Sequence, residues 1–174
     1  TAEKIIEKAL DSQTDSSKDQ LDAMVVGSMI FFHQKNYKKV TSIYSQLNAS
    51  DSWYIQKMGV NWLMNKNLIE ILTHIELENL DYVDSRLESF LNKHADYLEH
   101  DKRAMVYLNY LKTSFNHPNK VQTEEFKSTF FNSVEKKPTL REDIYVLSFL
   151  AYLKAKMLGK ETYETTLELV RGIS

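Results

Sequence analysis

Interruptions are what this chain lacks: four glycines and two prolines stand in 174 residues. Sandwiches and barrels need a turn signal roughly every 8–12 residues, so the scarcity argues against both. The long uninterrupted stretches carry apolar residues at helical spacing, with strand-like alternation nowhere convincing. An all-α fold follows, built as antiparallel helical hairpins on short connections, with about eight or nine helices. The length suits one domain, and a hydrophobic content of 43 % is enough to build its core.

Along the chain, residues 1–17 read as a short helix and a polar linker, and residues 18–174 as a single helical domain. Leu21, Met24, Val25, Ser28 and Phe32 form one helical stripe, while Val26, Met29, Ile30 and Phe31 make the opposite side apolar too. A helix apolar all round is expected between neighbours. After "QKN" a second helix turns Val40, Ile43, Tyr44 and Leu47 inward, completing a hairpin over roughly 18–48. The stretch from Asp51 to Glu76 reads as one long helix or two collinear ones, broken at "NKN". "LEN" is the next turn, and a helix capped by Asp81 follows with Tyr82 or Val83, Leu87, Phe90 and Leu91 inward.

"KHADYLEHDK" reads as a polar connection. The helix after it turns Ala104, Leu108, Leu111 and Phe115 inward and stops at Pro118. A short helix with Phe126, Phe130 and Val134 inward ends before Pro138. The helix from Thr139 places Leu140, Ile144, Leu147, Ala151, Ala155 and Leu158 on one face, and Gly159 stops it. A last amphipathic helix runs through Tyr163, Leu167 and Val170.

Composition removes several functions. With 22 basic and 24 acidic residues the net charge is −2, so nothing draws the whole molecule to nucleic acid or to an anionic membrane. The absence of cysteine removes disulfides, thiolate metal sites and thiol nucleophiles. The longest apolar run, "AMVVGSMIFF", is about half what a bilayer-spanning helix requires, so no membrane insertion is expected. The chain opens "TAEKIIEKAL" without methionine, as a processed chain or a piece of a longer one does. A cytoplasmic location is the expectation.

The pair at 21–48 resembles a tetratricopeptide repeat. "MVVGSMIF" puts Gly27 and Ser28 near the family's small position with Phe31 three residues on. In "NYKKVTSIYSQL", Val40 and Tyr44 stand where the repeat has its alanine and its aromatic residue. Met24 replaces the tryptophan, and no proline closes the unit. Residues 76–112 look like the degenerate repeats of larger bacterial tetratricopeptide-like proteins. The resemblance implies a short α-solenoid whose concave surface receives a protein or peptide; an irregular helical bundle is the alternative architecture.

No glycine-rich phosphate loop, nucleophile elbow or paired metal-binding histidine motif occurs, so neither an enzyme nor a cofactor is expected. The acidic cluster Glu70, Glu76, Glu78, Asp81, Asp84 and Glu88, relieved by Arg86, has two readings. The plainer is a solvated helix face; the sharper is a surface that receives a basic peptide. His94, Asp96, Glu99 and His100 have metal-capable side chains, but no known ligand spacing, and read as an exposed connection. His33, His74 and His117 stand alone. Arg103, Tyr107, Tyr110 and Ser114 share a stripe beside the core face, as do Tyr145, Ser148 and Tyr152. Of these, Arg103, Tyr107, Tyr110, Tyr145 and Tyr152 are candidate partner-binding residues, since tyrosine joins large contact area to a hydroxyl at low entropy cost. The plainer reading packs these rings between hairpins.

The expected function is a non-catalytic scaffold that binds a protein or peptide. The alternative is a structural or regulatory C-terminal helical domain that packs on upstream repeats of its own chain. An exposed apolar face at residues 1–10 or 160–173 would favour the alternative, because solenoid ends need polar caps.

Overall fold

Every regular element is helical in the computed structural model, which describes residues 17–100, 102–134 and 143–172. The expected helix over 1–10, the linker before Ser17, Pro138 and Leu140 lie outside the described residues. Among those described, ten α-helices and one 3₁₀ turn follow one another without a strand. The chain forms two compact units, Thr1–Val83 and Asp84–Ser174, divided within a helix that begins at Leu80.

In the first unit, α1 (Ser17–His33), α2 (Tyr37–Tyr44) and α4 (Val60–Glu76) pack on one another, and α3 (Asp51–Met58) packs on α4. The apolar circumference of α1 explains its position: Val25 and Phe31 are fully enclosed, and α2 and α4 both contact the helix. Ser28 lies in the same core because its hydroxyl donates to the Met24 carbonyl at 2.8 Å, which satisfies the buried oxygen. Val40, Ile43 and Leu47 are buried as the spacing predicts.

Two turns in this unit share one device. Lys35 and Glu78 both take φ of 58°, and the amides of Asn36 and Asn79 reach back to the carbonyls of Phe31 and His74 at 2.9 and 3.0 Å. Each helix thus closes its last carbonyls with a left-handed residue. The following asparagine starts the next helix; Asn36 accepts from the Lys39 amide at 3.3 Å.

The interruption expected at "NKN" falls elsewhere. Asn65, Lys66 and Asn67 lie inside α4, and the break is at Gly59, whose φ of 91° and ψ of 162° a residue with a side chain rarely adopts. Polar letters marked a loop, yet Lys66 and Asn67 are buried and bonded to each other's side chains.

α5 (Leu80–Lys93) crosses the division. Of the two alternatives for its inward position, Val83 is enclosed and Tyr82 exposed. In the second unit, α6 (Ala95–His100) and α8 (Glu124–Val134) both pack on α7 (Lys102–Asn116), and the 3₁₀ turn Lys120–Gln122 touches α7 and α8. α9 (Ile144–Leu158) contacts α7 and pairs closely with α10 (Thr162–Gly172). Gly159 ends α9 in the left-handed conformation, φ 63° and ψ 31°, as expected of a C-terminal stop.

Three sequence expectations change here. The polar connection at 93–102 contains helix α6; Leu98 within it and His94 just before it are buried, His94 edge-on to Phe90 at 5.1 Å. His94 extends the inward row of α5 by one turn, which its polarity concealed. On α9 the expected face buries Ala151 and Ala155, but Ile144 and Leu158 at its ends are exposed. On α10 the enclosed residue is Thr165, whereas Tyr163 and Val170 are 67 % and 47 % exposed. They lie well round the helix from Thr165, so a helix packed through its small residue turns them outward.

Candidate functional site

The acidic stretch divides between two fates. Its first members are held inside the first unit. Lys66 on α4 is only 4 % exposed, and its ammonium meets Glu70 Oε2 and Asn67 Oδ1, each at 3.3 Å. The same ammonium lies 5.2 Å from the ring centre of Tyr44 and 5.9 Å from that of Tyr54, a cation–π arrangement that offsets part of its lost hydration. Tyr82 donates to the other oxygen of Glu70 at 2.7 Å, and Tyr37 donates to Glu76 at 3.1 Å.

His74 stacks on Tyr82 with centroids 4.0 Å apart, and its Nδ1 lies 3.0 Å from the Asn79 amide nitrogen. Burial holds the His74 pKa below its ordinary value, against the opposing charge of Glu70. The neutral ring therefore accepts from Asn79. The cavity beside this network, lined by Tyr44, Glu70 and His74 among others, measures about 10 Å³. That is about one water's worth of space, too little for a substrate. Here the charges clamp α4 to its neighbours.

Further along the stretch the carboxylates face a groove. In the second unit a cavity of about 390 Å³ is lined from α5 by Asp84, Leu87, Glu88, Leu91 and Asn92, and from α7 by Lys112, Phe115 and Asn116. Burial sorts these residues into a floor and two rims. Leu87 is buried and Leu91 and Phe115 are half-buried, while Asp84, Glu88, Asn92, Lys112 and Asn116 are exposed. Helix geometry makes the sorting regular: Asp84, Glu88 and Asn92 recur every fourth residue on one rim, and Lys112 and Asn116 do so on the other. From Asp84 to Asn92 the α5 rim runs about 12 Å. Among the described residues no ion pair engages Asp84, Glu88 or Lys112.

The tyrosine stripes lie differently. Tyr107, Tyr110 and Tyr152 are each 4 % exposed, and Tyr145 is half-buried. Tyr110 packs against Phe126 and Phe130 of α8 at 6.1 and 5.4 Å, and burial pushes its hydroxyl pKa up to about 12. Lys156 stands 5.6 Å over the ring of Tyr152. Arg103 falls on α7, but its side chain lies outside the described residues. Tyr107, Tyr110 and Tyr152 are thus enclosed, whereas the groove leaves an apolar surface open to solvent.

Among the described residues no group of three or more acidic or histidine side chains could hold a metal ion; the His100 side chain lies outside them. No described helix is long and apolar enough to cross a membrane. The sequence signalled Asp84 and Glu88 as part of an acidic cluster and Phe115 as an inward position. It gave no sign that Lys112 would stand with them.

No family model, curated protein or solved structure matches the chain.

Proposed function

We propose that the protein is a non-catalytic helical module that binds a segment of another protein, and that the α5–α7 groove of the second unit receives it. The observation that carries this is the groove itself: an apolar floor of Leu87, Leu91 and Phe115 between two polar rims carried by two helices. Apolar anchors ringed by polar groups are the usual anatomy of a recognition surface. The repeated turn at Lys35–Asn36 and Glu78–Asn79 supports the tetratricopeptide-like part of the reading, since hairpins closed alike are what a degenerate repeat would leave.

The test is capture of a partner by the immobilised protein, repeated with Phe115→Ser and with Tyr107→Ser combined with Tyr152→Ser. Loss of the partner with Phe115→Ser at an unchanged melting temperature supports the groove. Capture that survives Phe115→Ser but disappears with the tyrosine pair, again without a fall in melting temperature, moves the site to the stripe of Arg103, Tyr107, Tyr110, Tyr145 and Tyr152.

One observation favours a second reading, a structural or regulatory helical domain that packs on further repeats of a longer chain. Tyr163 and Val170 on α10 are exposed with Leu167 half-buried between them, an apolar face at helical spacing. Shielding of Tyr163 fluorescence from quenchers in a longer chain, and not in this one, is the result that reading requires.

A further inference from the structure

We infer that the occupant of the α5–α7 groove is an amphipathic helix with a cationic flank, seated so that its lysines or arginines lie along Asp84 and Glu88 and an acidic residue lies toward Lys112. This deepens the function proposed above and rests on it.

The shape of the floor selects a helix. Leu87 and Leu91 form one row along α5, and Phe115 projects from α7 into the same hollow. The hollow thus lies between two helical surfaces, and a third helix fills such a groove with apolar residues recurring every third or fourth position. A rim of about 12 Å matches a little over two helical turns, so two or three anchoring side chains meet the floor.

The rims select the charge. Asp84 and Glu88 stand one turn apart on the same edge and share no ion pair with any described residue. A neutral partner laid over them would strip water from two carboxylates and return nothing, whereas a cationic flank replaces that hydration with attraction. Lys112 on the facing rim is subject to the same argument with the sign reversed. The groove is therefore polarised across its width, and the polarity fixes which way round an amphipathic helix can sit. A helix with lysine on both flanks meets Lys112 unfavourably, and one with glutamate on both meets the α5 rim unfavourably.

The contrast with the first unit sharpens the point. There the carboxylates Glu70 and Glu76 accept hydrogen bonds from the chain's own Lys66, Tyr82 and Tyr37, so they have little to offer a partner. Those of the groove are exposed on α5 and engage no ion pair among the described residues.

Three synthetic helical peptides test this against the whole chain by fluorescence anisotropy. Each carries leucine at the anchoring positions; the first has lysine on one flank and glutamate on the other, the second has glutamine at all charged positions, and the third has glutamate on both flanks. The first should bind about tenfold more tightly than the second, and the third least. The double variant Asp84→Lys with Glu88→Lys should invert the order of the first and third while the melting temperature holds. Addition of salt should narrow the differences.

Equal affinity for all three peptides, abolished in every case by Phe115→Ser or by Leu91→Asn, overturns the cationic preference and leaves the groove as a docking site. Tight binding of the first peptide that survives both apolar substitutions overturns the inference, since the attraction is then diffuse charge. Binding by none of the three, with no amide shift changes along α5 and α7, removes the helix-binding groove and the proposed function with it.

Discussion

Glu70 and Glu88 belong to one acidic run in the sequence, yet the fold gives them opposite surroundings. Glu70 sits in the first unit with a buried ammonium on one oxygen and a tyrosine hydroxyl on the other. Glu88 stands exposed on the rim of a groove in the second. The difference lies in what surrounds each helix. α4 is packed by α1, α2 and α3, so any charge on it must find a partner within the fold. Among the described residues nothing encloses the polar edge of α5 beside the groove, and its carboxylates stay exposed. A row of like charges thus predicts neither structure nor recognition until the neighbours of its helix are known.

The largest effect should come from breaking the first unit's pair. Lys66→Ala leaves the Glu70 carboxylate in a partly closed site without its cation, and a loss of about 3 kcal/mol is expected in urea denaturation. Replacing both residues together, Lys66→Met with Glu70→Leu, should restore most of that, because the cost lies in the orphaned charge. No loss for Lys66→Ala would show that the pair is solvated and erase the contrast.

Comparable in size are the tyrosines. Tyr107→Ser and Tyr152→Ser each empty a position 4 % exposed and should cost about 3 kcal/mol. An unchanged melting temperature would instead mean that the rings are free to meet a partner.

A smaller change of opposite sign is expected at the turns. Glu78 holds a φ of 58°, which is costly for a residue with a side chain, so Glu78→Gly should raise stability by up to about 1 kcal/mol. The same substitution at Lys35 should act alike, and a loss at either site would show that the side chain has another duty.

The smallest effect concerns pH. Burial lowers the pKa of His74 and of His33 from the ordinary value of 6.5. The unfolded chain then binds protons more readily than the folded one, so stability is full above pH 6.5 and falls as the pH drops below it. His74→Gln should flatten part of that fall in a thermal series between neutral and mildly acid pH.

Much of the fold was legible in the sequence. Few breakers and helical periodicity are local signals, and they located the hairpin over 18–48, the turn at "LEN" and the stop at Gly159. What escaped was set by neighbours. Nothing in "NKN" says that Lys66 will find Glu70 and two tyrosine rings, so polar residues looked like a loop while Gly59 made the break. His94 looked like a connector for the same reason. On α10 the large side chains looked inward by size, although Thr165 made the close contact. The groove was the least legible feature, because it needs Asp84 and Glu88 beside Lys112 and Phe115, residues brought together only by the fold.

The contrast between the two glutamates is open to one paired measurement: urea unfolding of Glu70→Gln and Glu88→Gln beside the parent chain. Glu70→Gln should lower stability by about 2 kcal/mol, since it weakens a buried pair, and Glu88→Gln should stay within about 0.5 kcal/mol. Equal losses, or a greater loss at Glu88, would contradict the division of this acidic run into one clamp and one docking rim.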